Sequence, residues 1–175
     1  MGTRHLIICK VDKKIKVANY GQWDGYLSGQ GLTIAEFLEK KLKHDFDIDN
    51  FKNKLRTVYF LKPKELEQID EVVSQNERLG IEYPRQFSRD TGAEILDVIY
   101  NCKSYAKKTL GLVDSTDFGD DDVMCEFTYV LDFDKKVLAI YTGGPKKNNL
   151  FKKLKFSEVT TSKIQSLAKE LESAG

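Results

Sequence analysis

Twelve residues from Tyr20 to Gly31 hold the densest set of side chains able to do chemistry. Tyr20, Trp23 and Tyr26 recur every three positions, Asp24 sits among them, and the segment carries four of the twelve glycines, Gly21, Gly25, Gly29 and Gly31. Aromatic faces stack on a base or sugar, and a carboxylate accepts hydrogen bonds from ribose or amide groups. Backbone N–H groups at Gly29 and Gly31 would face a phosphate at the start of a helix near Leu32. No GxGxxG and no Gly-Lys-Ser/Thr accompanies them, so this is neither a dinucleotide fingerprint nor a P-loop. The competing reading is a turn-rich loop whose aromatics pack on a sheet edge.

Arg89-Asp90-Thr91-Gly92 is the second candidate. It opens a helix whose first N–H groups, with Arg89, suit a phosphate or carboxylate. Against this stands ordinary capping by Thr91 and Glu94, with Arg89 paired to an acid. Arg4 begins an apolar strand, as a buried ion pair or as a ligand anchor.

Other clusters carry less. Asp114, Asp117, Asp120, Asp121 and Asp122 lack the spaced pattern of a calcium loop and read as a solvated acidic loop, so no metal is expected. Cys9, Cys102 and Cys125 have no CxxC spacing and sit on or near apolar faces, as buried small hydrophobes do. The two histidines, His5 and His44, lie outside an HxT or HxS setting, and no GxSxG elbow is present. The Lys146–Lys155 run reads as a solvated basic face rather than a nucleic-acid contact.

The elements that position these residues follow from periodicity. Arg4 to Val11 alternates with apolar residues on both faces, turns at Asp12–Lys14 and returns through Ile15 to Tyr20. Thr33 and Glu36 form a capping box for a helix that buries Ile34, Phe37, Leu38 and Leu42. A short helix around Asn50 to Leu55 precedes a strand at Val58 to Leu61. Pro63 starts a helix to about Arg78 with a buried stripe of Leu66, Ile69, Val72 and Val73. Pro84 to Gly92 is a loop, and a helix from Gly92 to about Ser104 buries Ile95, Leu96 and Ile99. A second hairpin pairs Cys125–Leu131 with Val137–Thr142, and Ile164, Leu167, Ala168 and Leu171 mark a final helix. The order predicts an α+β fold in one domain spanning 1–175: a mainly antiparallel sheet of four to five strands, built from two hairpins and packed by helices.

Composition narrows the function classes. With 28 Lys and Arg against 27 Asp and Glu, the chain is not a strongly basic nucleic-acid binder. At 41% hydrophobic residues over 175 positions it can bury one core, and no run approaches the ~20 apolar residues of a membrane span. No signal peptide is visible, and three cysteines cannot form a fully paired framework, which together predict a cytoplasmic protein.

Met1-Gly2-Thr3-Arg4-His5-Leu6-Ile7, then Tyr20-Gly21-Gln22-Trp23-Asp24-Gly25-Tyr26 and Gly29-Gln30-Gly31, resemble a group of small phage, bacterial and fungal proteins. These begin MGTR and carry a Tyr-x-x-aromatic-Asp-x-Tyr loop after an opening hairpin. The resemblance continues at Phe87–Gly92, at Glu126–Asp132 and at Leu138–Tyr141, while Leu27 stands where the group often has proline. It implies a phage or prophage origin and attaches no reaction. The layout also resembles the start of N-terminal nucleophile hydrolases, which need Cys, Ser or Thr as first mature residue. Gly2 offers no nucleophile.

Together these features predict a non-enzymatic accessory protein that binds a small polar, nucleotide-like molecule between the Tyr20–Gly31 loop and Arg89–Gly92, and so sequesters a host defence signal. No cofactor is expected, and the sequence leaves the oligomeric state open. Two alternatives stand beside it. One is a hydrolase of amides or phosphodiesters using Asp24, Asp90, Glu126 and Arg89. The other is an inhibitor of a host protein with exposed aromatics as anchors.

Overall fold

A computed structural model describes residues 2–79, 84–103 and 110–174. Met1, Ser104 and the side chain of Val73 lie outside that description. The chain runs β1 (His5–Val11), β2 (Lys14–Gly21), α1 (Leu32–Lys41), α2 (Asp45–Thr57), β3 (Tyr59–Phe60), α3 (Pro63–Arg78), α4 (Ile95–Asn101), β4 (Gly111–Leu112), β5 (Phe127–Asp132), β6 (Val137–Tyr141), β7 (Leu150–Lys155) and α5 (Thr161–Ala174). The fold is α+β. A five-stranded sheet has the order β2-β1-β5-β6-β7, and β3 pairs with β4 in a separate two-stranded sheet.

The two predicted hairpins form and lie side by side. Every neighbouring pair in the main sheet is antiparallel except one: β1 runs parallel to β5, with Ile7 opposite Tyr129 and Cys9 opposite Leu131. Parallel pairs are buried on both faces, and these strands are. Ile7, Cys9, Val11, Tyr129, Leu131, Leu138 and Ile140 join the core built with α1, α2, α4 and α5. Leu6, Ile8, Val130 and Ala139 point the other way into a smaller cluster closed by Ile15, Phe118 and Tyr141. The two-sided apolar pattern of β1 is the direct cause of this double burial.

Carboxylates fasten the parallel seam at both ends. At the start, the Arg4 N–H donates to Glu126 Oε2 at 2.8 Å and the Glu126 N–H donates to the Arg4 carbonyl at 3.2 Å. At the far end, the turn residues Asp12 and Lys13 adopt left-handed φ of 54° and 62°, as a two-residue hairpin turn demands. Their N–H groups donate to the two oxygens of Asp134 at 2.9 and 2.8 Å. These bonds hold the Asp134 carboxyl below the usual carboxylate range. The neighbouring Phe133 is fully buried between Phe51 and Phe156, with ring centroids 5.4 and 5.1 Å away.

Several local expectations are corrected. Neither capping box exists. The helical path begins at Leu27 as one π-turn, so Thr33 lies inside the helix and its hydroxyl donates back to the Gly29 carbonyl. Thr91 has helical backbone, its hydroxyl donates to the Arg85 carbonyl, and Glu94 pairs with Arg85. α2 starts at Asp45, because Ile48 extends the buried stripe of Phe51 and Leu55 one turn upstream. α3 has the predicted bounds but not the buried stripe: Leu66 and Ile69 are half-buried and Val72 is exposed. α4 ends at Asn101. The basic run Lys152, Lys153 and Lys155 belongs to a strand, β7, whose charged composition hid it; lysines on an edge strand block further pairing.

Phe133→Ala is expected to cost about 3–5 kcal/mol of folding stability through the cavity it leaves. Asp134→Ala, which spares the core and returns two turn N–H groups to water, should cost distinctly less. Chemical denaturation of both variants measures the ranking.

Candidate functional site

The Tyr20–Gly31 segment and the Arg89–Gly92 segment meet at the end of the sheet where β1 and β5 begin. Their contact is direct. The Gln22 N–H donates to the Arg89 carbonyl at 3.0 Å, the Trp23 indole N–H donates to Asp90 at 2.7 Å, and the Asn19 amide donates to the Gly92 carbonyl at 3.0 Å. Gln30 clamps the junction: its amide N–H donates to the Trp23 carbonyl at 3.1 Å, while its oxygen accepts the Ala93 N–H at 2.8 Å. Gly92, at φ +54°, lies so close that a side chain there would strike the Gln30 amide.

The two segments thus touch directly, and most of the N–H groups of the predicted anion cradles donate to protein acceptors. The N–H groups of Gly29 and Gly31 donate to the Tyr26 carbonyl at 3.0 and 3.3 Å, and that of Gln30 to the Asp24 carbonyl at 2.8 Å. In the other segment, the N–H groups of Asp90, Thr91, Ala93 and Glu94 are all taken by protein acceptors. Arg89 is exposed, with no ion pair among the described residues. Arg4 is half-buried and makes no ion pair among the described residues; its Nε donates to the Met124 carbonyl at 3.3 Å. Tyr20 is half-buried and stands edge-on to Phe118 at 4.7 Å.

A platform is left on the outer surface. Trp23 and Tyr26 are 42% and 45% exposed, whereas the other aromatics among the described residues, Phe46 apart, are mostly shielded. Asp24, between them in sequence, has left-handed backbone at φ +56°, a strained state for a residue with a side chain. Its carboxylate is exposed and accepts no hydrogen bond among the described residues. The loop is rigid beneath it. The Gly25 N–H donates to the Thr3 carbonyl at 2.9 Å, and the buried Tyr129 hydroxyl donates to the Gly25 carbonyl at 2.6 Å. Beside Tyr26 a cavity of about 360 Å³ runs between Leu27, Phe127, Ala168 and Leu171.

Under the loop lies His5, which sequence reasoning had set aside. It is fully buried, and neither ring nitrogen has a hydrogen-bond partner among the described residues. The Gly21 backbone presses on the imidazole so tightly that any side chain at 21 would overlap it. Burial lowers the pKa to about 4, against the opposing pull of the Thr3 backbone and the Asp24 charge; Thr3 lies near the ring but outside hydrogen-bonding geometry. The neutral imidazole therefore sits beside an exposed carboxylate at neutral pH. Alternation alone placed His5 on the core face of β1, and Tyr129 likewise; nothing local marked either as a support of the loop.

The remaining candidates are accounted for. Of the hydrolase carboxylates, Asp90 accepts the Trp23 N–H and Glu126 the Arg4 N–H. Asp114 and Asp121 accept backbone N–H groups of their own turns, and Asp122 pairs with Lys146 at 2.6 Å. Cys9 and Cys125 are buried, which pushes both thiols up, while Cys102 is half-buried. No helix among the described residues is long and apolar enough to cross a membrane. Comparison with family models, curated proteins and solved structures finds no match.

The buried imidazole sets a pH response. The unfolded ring takes a proton as pH falls through 6.5, whereas the folded ring refuses it until about 4. Stability is therefore expected to fall across that window, by up to about 3 kcal/mol, and to carry no His5 contribution to its slope above it. Denaturant midpoints from pH 8 to 4 measure this, and His5→Gln should remove the His5 share of the slope.

Proposed function

We propose that the protein is a non-catalytic accessory protein of the phage or prophage type that captures a small polar molecule on the Trp23–Asp24–Tyr26 platform. The ligand has a flat ring and hydrogen-bond donors, as a nucleoside does, and its capture withdraws a host defence signal. The observation that carries this reading is an exposed carboxylate, with no hydrogen-bond partner among the described residues, in left-handed backbone on a loop that also exposes Trp23 and Tyr26. Ring faces supply stacking, and Asp24 accepts from a hydroxyl or amine. The adjoining cavity beside Tyr26 receives the less polar part. Because the N–H groups of Gly29, Gln30, Gly31, Asp90 and Thr91 already donate to protein acceptors, the ring and sugar rather than the phosphates are expected to carry most of the recognition.

The geometry at Gly2 favours binding over hydrolysis. Space for a side chain at that position is filled by the Gln22 carbonyl and the Trp23 ring, each 2.3 Å from where a Cβ would stand. An N-terminal nucleophile there would have to displace the platform.

Trp23 is the sole tryptophan, so its fluorescence reports on the site directly. Titration with a panel of nucleosides and their phosphates should give saturable quenching by at least one nucleoside, with little gain from added phosphates. Asp24→Asn should weaken that ligand about tenfold, the loss of one charge-assisted hydrogen bond. Unchanged fluorescence across the panel, together with no small molecule released on denaturing fresh protein, would overturn the proposal.

A further inference from the structure

A second cavity lies at the other end of the sheet. It measures about 520 Å³, inside the ~300–1,000 Å³ range of small-molecule sites. The end of α1 and the start of α2 form one wall, the β5–β6 turn a second, and the segment from β7 to α5 a third. Its floor is apolar and well packed: Leu38, Leu42, Ile48, Phe156 and Val159 are each no more than 7% exposed.

Its mouth is charged, with one sign in excess. Four lysines and two carboxylates line it. Both carboxylates are engaged. Asp45 pairs with Lys136 at 2.9 Å, and Glu39 accepts the N–H and hydroxyl of Thr161 at 3.2 and 3.3 Å. Lys43, Lys135 and Lys155 are exposed and have no acidic partner among the described residues. The chain as a whole is only +1, so this excess is local. Three like charges around an apolar floor repel one another and attract an anion, more strongly once that anion excludes water.

We propose that this cavity binds a small amphipathic anion, its apolar chain on the Leu42–Phe156 floor and its carboxylate among Lys43, Lys135 and Lys155. The site is separate from the Trp23 platform and does not depend on its ligand.

Decanoate below its micelle concentration is the probe, with decyltrimethylammonium and decanol as cationic and neutral counterparts. Binding is followed by the methyl NMR signals of Leu38, Leu42, Ile48 and Val159. Decanoate should shift these signals saturably, and the cationic counterpart should bind at least about tenfold more weakly. Lys135→Gln/Lys155→Gln, which alters only exposed unpaired side chains, should weaken decanoate about tenfold without moving the melting temperature. The proposal falls if the shifts lie elsewhere or are absent. It falls equally if the three headgroups bind alike, or if the double variant binds decanoate as the parent does; either would mean apolar adsorption without charge recognition.

Discussion

The parallel seam between β1 and β5 is the constraint on which the rest depends. Each strand already belongs to an antiparallel hairpin with β2 or β6. Joining them side by side makes β1 and β5 central, so both must be apolar on both faces, and the seam brings together residues more than a hundred positions apart. Closing such long loops costs chain entropy that local contacts cannot offset. The compensation comes from burial on two faces and from the carboxylates that lock the ends: Glu126 on the Arg4 N–H, Asp134 on the Asp12 and Lys13 N–H groups. Bonds between a carboxylate and backbone N–H are among the stronger ones available, and they fix register as well as proximity.

The platform inherits its rigidity from that seam. Tyr129 on β5 reaches under the loop to the Gly25 carbonyl, and Thr3, just ahead of β1, receives the Gly25 N–H. Gly25 is therefore pinned by both sides of the seam at once. Asp24 stands one residue earlier, and its left-handed backbone persists because its neighbours are over-determined. The unpartnered His5 is the cost of this arrangement. A buried imidazole without partners loses about 1–3 kcal/mol relative to a satisfied one. An apolar residue of similar size would avoid that cost, and nothing in the packing against Gly21 explains why histidine stands there.

The sequence was legible where a property repeats along the chain. Alternation marked the two hairpins, helical spacing with Pro63 placed α3 between its observed ends, and the glycine-rich aromatic loop stood out by composition. It was not legible where a property arises between distant segments. Thr91 and Glu94 have capping-box spacing, yet both turn toward Arg85 because the preceding segment folds back over them. Gly29 and Gly31 look free for an anion, but a π-turn closes their N–H groups onto Tyr26. The lysines of β7 obscured a strand whose pairing is decided by β6. The cavity at the far end was invisible for the same reason, since its walls come from three separate stretches of chain.

The two ends of the sheet are bridged by α1 and α5. α1 continues from the π-turn under Tyr26 and carries Leu38 toward the far cavity; α5 starts at Thr161, tied to Glu39, and brings Ala168 and Leu171 to the cavity beside Tyr26. At 1.5 Å per residue α1 covers only ~15 Å, a short path for coupling. Coupling nevertheless needs an element with two arrangements that each site biases differently. Ile34, Phe37 and Leu38 are packed to 3% exposure or less, and Ile164 and Leu167 of α5 equally so. A close-packed interface does not slide by fractions of a side chain without opening voids. Little coupling is therefore expected between the two proposed sites.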